Sequence, residues 1–229
     1  MPGLKRRSAS NGEEAATVTP GRGRPRLHDD ETRRAMIIRG AREAFVEYGF
    51  LNTTTAMVAT AAKVSKRSIY EVFDNKTELF AAVIREYRRL ILDLPRPEGE
   101  DLPVLETLFL IFRLDIDEPA QKEREAILNL LVRESVLMPD LSDYLYEHNV
   151  LRSREDLIEW LDGEAARGRM AIDDSLVCAG MLMDVVFGAL LPRRRIHQAA
   201  ERTQRLEHIK KRLEIFVRGI GTMKCSKPL

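Results

Sequence analysis

Lys66, Arg67, Ser68 and Tyr70 lie within one short stretch and present two cations and two hydroxyls to whatever they face. Such groups donate hydrogen bonds to phosphate oxygens and to guanine edges, so the chemistry they offer is polyanion recognition. The sequence offers no comparable set for catalysis. The four histidines, His28, His148, His197 and His208, are scattered. There is no HExxH, no GxSxG and no phosphate-binding glycine loop. Cys178 and Cys225 are too far apart to read as a metal-ligand pair, and two unpaired thiols suit a reducing compartment. No metal or cofactor is expected, and an enzyme is the least favoured class.

The residues around that stretch must position it. Thr53 to Phe73 reads as two short helices and a tight turn, a helix-turn-helix. Thr53 or Thr54 caps the first helix. Met57, Val58, Ala61 and Ala62 fall on one face, and the small Ala59, Ala61 and Ala62 admit a close neighbour. Lys63-Val64 makes the turn, with Val64 as its apolar plug, and Ser65 caps the second helix. Ile69, Val72 and Phe73 then point inward, leaving Lys66, Arg67, Ser68 and Tyr70 outside. Cations in a first turn oppose the helix dipole. Lys66 and Arg67 there make sense where that end meets phosphates or guanines. A solvated face of an ordinary helical protein is the competing reading.

Charge is unevenly spread. The net charge is only +1, yet residues 1–76 carry 14 Lys/Arg against 9 Asp/Glu and the remaining residues 23 against 27, and a basic front on an acidic body suits a nucleic-acid partner at the front. Residues 1–28 are Gly, Ser, Pro and charge, with little to bury, and read as a disordered arm. Within it, Arg22, Arg24 and Arg26 of Gly-Arg-Gly-Arg-Pro-Arg resemble an AT-hook core. An extended Arg-Gly-Arg strand fits an A·T-rich minor groove; a generic basic tail would add phosphate affinity alone. No apolar run reaches membrane length and the start lacks a signal-peptide core, so a cytoplasmic, nucleoid-associated protein is expected.

A first helix is expected from about Asp30 to Tyr48. Asp29 and Asp30 cap it, Met36, Ile37, Ala41, Ala44, Phe45 and Tyr48 form its stripe, and Gly49 follows its end. Its Arg33 and Arg34 either reach phosphate or are solvated. After Phe73, Asn75 with Glu78 forms a capping-box variant. The helix it opens runs to about Asp93, where Leu94-Pro95-Arg96-Pro97 ends it.

With these residues in view, positions 31–80 resemble the DNA-binding head of TetR-family transcriptional regulators, in AREAFVEYGF, the Thr pair, VATAAKVSK and IYEVFDNKTELF. The resemblance implies DNA contacts at Thr54, Lys66, Arg67, Ser68, Tyr70 and Lys76, with no membrane involved. It departs at the turn, where Lys63 replaces the usual Gly, and at Val72, which replaces an aromatic. A left-handed Lys63 costs roughly 1 kcal/mol.

The remainder reads as all helix, giving an all-α fold: a head at 29–76, a helical ligand-binding and dimerisation body at 77–221 and a flexible tail at 222–229. Pro103 opens one body helix and Pro119 the next, which Pro139 breaks. A long helix is expected from about Leu141 to Ala166. Leu176 to Leu191 is apolar nearly all round, so one face serves the core and the other requires a partner. With the amphipathic last helix it gives a homodimer interface at about 174–220, as the resemblance also implies. A buried central helix in a monomer is the alternative. The body loosely resembles the AefR-like branch around LVRESVLMPDL and EAARGRM. The family encloses a small-molecule pocket whose occupation moves the fourth helix and lowers operator affinity. Candidate lining here is Phe109, Phe112, Arg113, Tyr144, His148, Trp160, Met183 and Phe187, with Leu131 beside them; Arg133 and Glu134 are candidate polar anchors. Core packing is the favoured reading of each lining residue except Arg113; Arg113, Arg133 and Glu134 could equally be surface or paired. A repressor released from a palindromic operator by a hydrophobic ligand is therefore expected, with a ligand-independent architectural DNA-binding protein as the alternative.

Overall fold

Local caps set several helix boundaries in the computed structural model, which describes residues 26–190 and 199–222. Arg22 and Arg24 lie outside the described residues. The first helix, α1, spans Arg26–Asn52. It begins three residues inside the expected arm, so Arg26 is helical rather than part of an extended strand, and Asp29 and Asp30 are interior rather than capping residues. The charged run after Pro25 is compatible with helix, and nothing in it enforces an extended chain. Gly49 breaks α1 with φ 81 and ψ 169, a conformation open almost only to glycine. The buried Thr53 hydroxyl secures the break by donating to Gly49 O at 2.6 Å.

Thr54 caps α2 (Thr55–Ala62), accepting from Met57 N. Lys63 adopts the left-handed conformation at φ 56, ψ 40, and Val64 N closes the turn on Ala59 O at 3.0 Å. Ser65 caps α3 (Lys66–Tyr70), accepting from Ser68 N at 3.0 Å. The α1 stripe and the α2 face differ from expectation at their edges. Ile38 and Ala59 are buried, whereas Tyr48 and Ala61 are exposed.

Asn75 opens α4 (Lys76–Ile91) by accepting from Glu78 N at 2.8 Å. The Glu78 carboxylate reaches one residue beyond the cap, accepting from Asp74 N at 2.7 Å. The body continues with α5 (Val104–Ile111), then α6 (Glu118–Leu137) capped by Asp117, then α7 (Pro139–Glu147). The expected long helix from Leu141 to Ala166 is two helices, α7 and α8 (Ser153–Ala166). Asn149 stops the first in a left-handed turn with φ 53, and Val150 N bonds back to Leu145 O at 2.8 Å, burying Val150. Asp174 accepts from Val177 N to start α9 (Ser175–Leu190), and α10 spans Ala199–Thr222. Among the described residues all ten regular elements are helical.

Two apolar cores result. One joins α1–α4 to Leu130, Leu141, Leu145 and Val150 of the body; the other is built from α5, α6, α8, α9 and α10 around the far end of α4. The fourth helix runs through both, with Leu79, Phe80 and Val83 in the first and Ile91 in the second. Arg124 is 1% exposed and donates to Phe112 O and Arg113 O at 2.8 and 2.7 Å, capping the end of α5 from inside. Burial pushes its guanidinium down to about 10.

Candidate nucleic-acid interface

The exposed side of α3 carries Lys66, Arg67 and Tyr70, with Ser68 half-buried beside them. Ile69 and Phe73 anchor the opposite side in the first core. Arg67 is 89% exposed and pairs with Glu71 on the next turn, Nε to Oε1 at 2.9 Å. Such a surface pair contributes about 0–1 kcal/mol and is readily exchanged for another acceptor. The Tyr70 hydroxyl lies 3.3 Å from Thr55 Oγ1, tying α3 to the first turn of α2 beside the exposed Thr54. Thr55 is absent from the sequence-derived set; the run of three threonines was its only signal. Arg34 lies over the Phe73 ring at 4.6 Å.

Lys76 is a correction. Its ammonium does not face outward; it donates to Phe50 O at 2.7 Å and Thr53 O at 3.1 Å, with Leu51 O at 3.4 Å, and lies over the Phe50 ring. An ammonium has three hydrogens, and these carbonyls of the α1 end take them. Burial lowers its pKa, against the opposing pull of the Glu134 carboxylate. In this arrangement Lys76 is a strut between α4 and the α1 break, not a free phosphate donor.

The same break receives the body. Arg133 Nη2 donates to Phe45 O at 3.0 Å, and its Nε holds the buried Glu134 at 2.9 Å. A methyl group at Gly49 would stand 3.1 Å from Glu134 Oε1 and 3.3 Å from Arg133 Nη2, so the α6 pair sits directly against the glycine. Here α1, α4 and α6 meet, and α1 reaches α6 again through the Arg42–Glu123 ion pair at 2.8 Å.

A cavity of about 290 Å³ lies beside this joint, between the two cores. Its walls come from α4 (Phe80, Ile84, Arg88, Ile91), α6 (Leu128, Leu131, Glu134), α7 (Leu145, Tyr146), the start of α8 and α9 (Met183, Phe187). Of the eight residues expected to line it, Met183 and Phe187 do. The other six lie elsewhere. Phe112 is fully buried and packs edge-on to Phe187 at 5.9 Å, on the far side of the cavity wall. Phe109 packs in the second core, where Lys210 lies over its ring. Arg113 faces Asp93. Tyr144 and His148 stack on one another, with His148 Nδ1 2.8 Å from Tyr144 O. Trp160 lines a separate, charged cleft with Arg96, Glu100, Arg167 and Arg169. Among the described residues there is no cluster of three or more metal-ligating side chains, and no helix is long and apolar enough to cross a membrane.

Known proteins share this fold. Residues 37–83 match the family described as bacterial regulatory proteins, tetR family, and residues 114–219 match the AefR-like transcriptional repressor C-terminal domain. The uncharacterized HTH-type transcriptional regulator YvkB of Bacillus subtilis (strain 168) is 23% identical over 188 residues, which are 81% of this chain and 95% of that protein. Salmonella enterica GusR has the same fold, with a TM-score of 0.61 at 21% identity over 82% of this chain and 96% of its own. The flavonoid-responsive regulator FrrA superposes with a TM-score of 0.53 at 25% identity, over 82% of this chain and 97% of its own.

Proposed function

The chain belongs to the tetR family of DNA-binding transcriptional regulators, and we propose that it is a dimeric repressor released from a palindromic operator by a small hydrophobic molecule. The observation that carries the ligand reading is Phe80. This ring belongs to the head core, edge-on to Phe45 and Phe50 at 5.1 and 5.3 Å, and it also forms part of the cavity wall. A molecule in the cavity therefore touches the side chain that locks the α1 end. Its occupancy shifts the head only to the extent that it binds one head position better than the other. The flavonoid response in FrrA's name supports a ligand of this general kind.

A second copy accounts for the exposed apolar face of α9 and α10. Leu176, Val177 and Met181 on α9 and Ile215 on α10 are each more than half exposed. Gly180, Gly188 and Gly219 have open space beside them, so a partner helix can approach closely. A dimer through α9 and α10 covers this face and presents two α3 helices to successive half-sites. Arg67 and Ser68 read bases, and Thr54, Lys66 and Tyr70 hold phosphates. The arm with Arg22 and Arg24 enters the minor groove, and Arg26 at the start of α1 leads into it.

Selection of bound sequences from random duplex DNA tests this reading. A two-fold symmetric consensus is expected, and A·T-rich enrichment without symmetry would make the arm the main reader instead. Arg67→Ala should relax one base position by about 1–3 kcal/mol. Lys66→Ala should weaken all sequences alike and flatten the salt dependence by about one unit of slope. An unaltered consensus removes Arg67 from the base readers, and an unaltered slope removes Lys66 from the phosphate contacts.

A further inference from the structure

The cavity wall carries two arginines that the protein leaves unpaired. Arg88 comes from the last turn of α4 and Arg154 from the first turn of α8, and both line the cavity. Neither has a carboxylate within ion-pair distance among the described residues. Their neighbours differ: Arg96, Arg113, Arg133, Arg152, Arg167 and Arg169 are all paired. Arg88 does feel Asp156, but that carboxylate sits with Arg152 and opens onto the other cleft. The carboxylate that lines the cavity, Glu134, is already held by Arg133. The first turn of α8 lacks a side-chain cap and carries Glu155 and Asp156, neither of which lines the cavity. The lining is thus mostly apolar and carries two guanidinium groups without an ion-pair partner among the described residues, Arg154 at its solvent-exposed edge, while its one carboxylate, Glu134, is already paired.

We propose that the effector is a monoanion with an apolar body, its acid group held by Arg88 and Arg154 and its body against Phe80, Leu128 and Phe187. This rests on the reading of the cavity as the effector site. Guanidinium forks match a carboxylate's two oxygens and hold it more firmly than a neutral hydroxyl. The volume of about 290 Å³ holds roughly ten non-hydrogen atoms at liquid-like packing. A medium-chain or aryl-alkyl carboxylate is of that size.

Calorimetric titration of the full-length protein with octanoate and with 1-octanol tests the assignment. Octanoate should bind about tenfold tighter or more. The R88Q/R154Q double variant should bring octanoate down to the level of octanol while leaving octanol unchanged, and R88K/R154K should keep most of the preference. Since neither arginine is ion-paired, the thermal midpoint of both variants should match that of the parent. Equal binding of the two probes to the parent would overturn the anion and leave an apolar effector site standing. Binding of neither would overturn the anion and the cavity reading together. A preference that survives in R88Q/R154Q would place the acid group elsewhere and overturn the assignment.

Discussion

Phe80→Ala should lower stability by about 3–5 kcal/mol, the range for emptying a buried aromatic site. The ring is fully buried and is the hub of the aromatic group with Phe45 and Phe50. The site is poorly placed to collapse, because the cavity already lies on its other side. For a chain of this length each kcal/mol moves the thermal midpoint by about 2–4 °C, so a fall of roughly 6–20 °C is expected by circular dichroism. A loss below about 1 kcal/mol would show that α4 closes over the gap and that the ring does not lock the α1 end. Phe80→Leu separates packing from signalling. It keeps most of the volume and should cost about 1–1.5 kcal/mol. Operator affinity without effector should survive in this variant, while release by a cavity-filling molecule weakens, because the contact proposed to transmit occupancy has changed shape.

The parts of this molecule that were legible in the sequence are those whose causes are local. Thr54, Ser65 and Asn75 cap the helices they were expected to cap, since a cap hydrogen bond spans two or three residues. Lys63 takes the left-handed turn although it is not glycine, because α2 and α3 on either side fix the conformation and the cost is small beside their packing. The stop at Asn149 was local as well. An Asn at the end of an apolar stripe is a recognised helix terminator, but with neither Gly nor Pro beside it the signal in the sequence is weak. What was not legible depends on segments distant in sequence. Lys76 turns inward because the broken end of α1, some 25 residues earlier, presents carbonyls that lack helical partners. The cavity is assembled from five helices, so periodicity on one helix cannot separate a residue that lines it from one that lies behind it. Phe112 and Phe187 share an apolar pattern, yet only Phe187 reaches the cavity while Phe112 supports it from the rear.

Gly40 poses the sharper test, because two physical rules predict opposite signs. Within the span of α1, helix propensity alone makes Gly40→Ala stabilising by about 1 kcal/mol. The crossing of α1 and α2 says otherwise. A Cβ at Gly40 would stand 2.5 Å from the Ala62 nitrogen and 2.8 Å from its Cα and Cβ. Two of these three atoms are backbone, so no rotamer change relieves the clash and α2 itself must move. Overpacking of this kind costs about 1–3 kcal/mol, enough to outweigh the propensity gain. The functional effect should exceed the loss of stability. Lys63 follows Ala62 directly, and the left-handed turn there sets the angle of α3, so a displaced α2 carries Lys66, Arg67 and Tyr70 with it. Operator affinity should therefore fall about tenfold or more while most of the protein remains folded at 25 °C, measured by titration of fluorescent duplex alongside urea unfolding. Ala62→Gly added to Gly40→Ala removes the Cβ contact but not those to the nitrogen and Cα, so it should restore only part of the affinity. A Gly40→Ala protein with undiminished stability and operator affinity would show that the two helices separate freely and that their spacing does not hold the recognition helix.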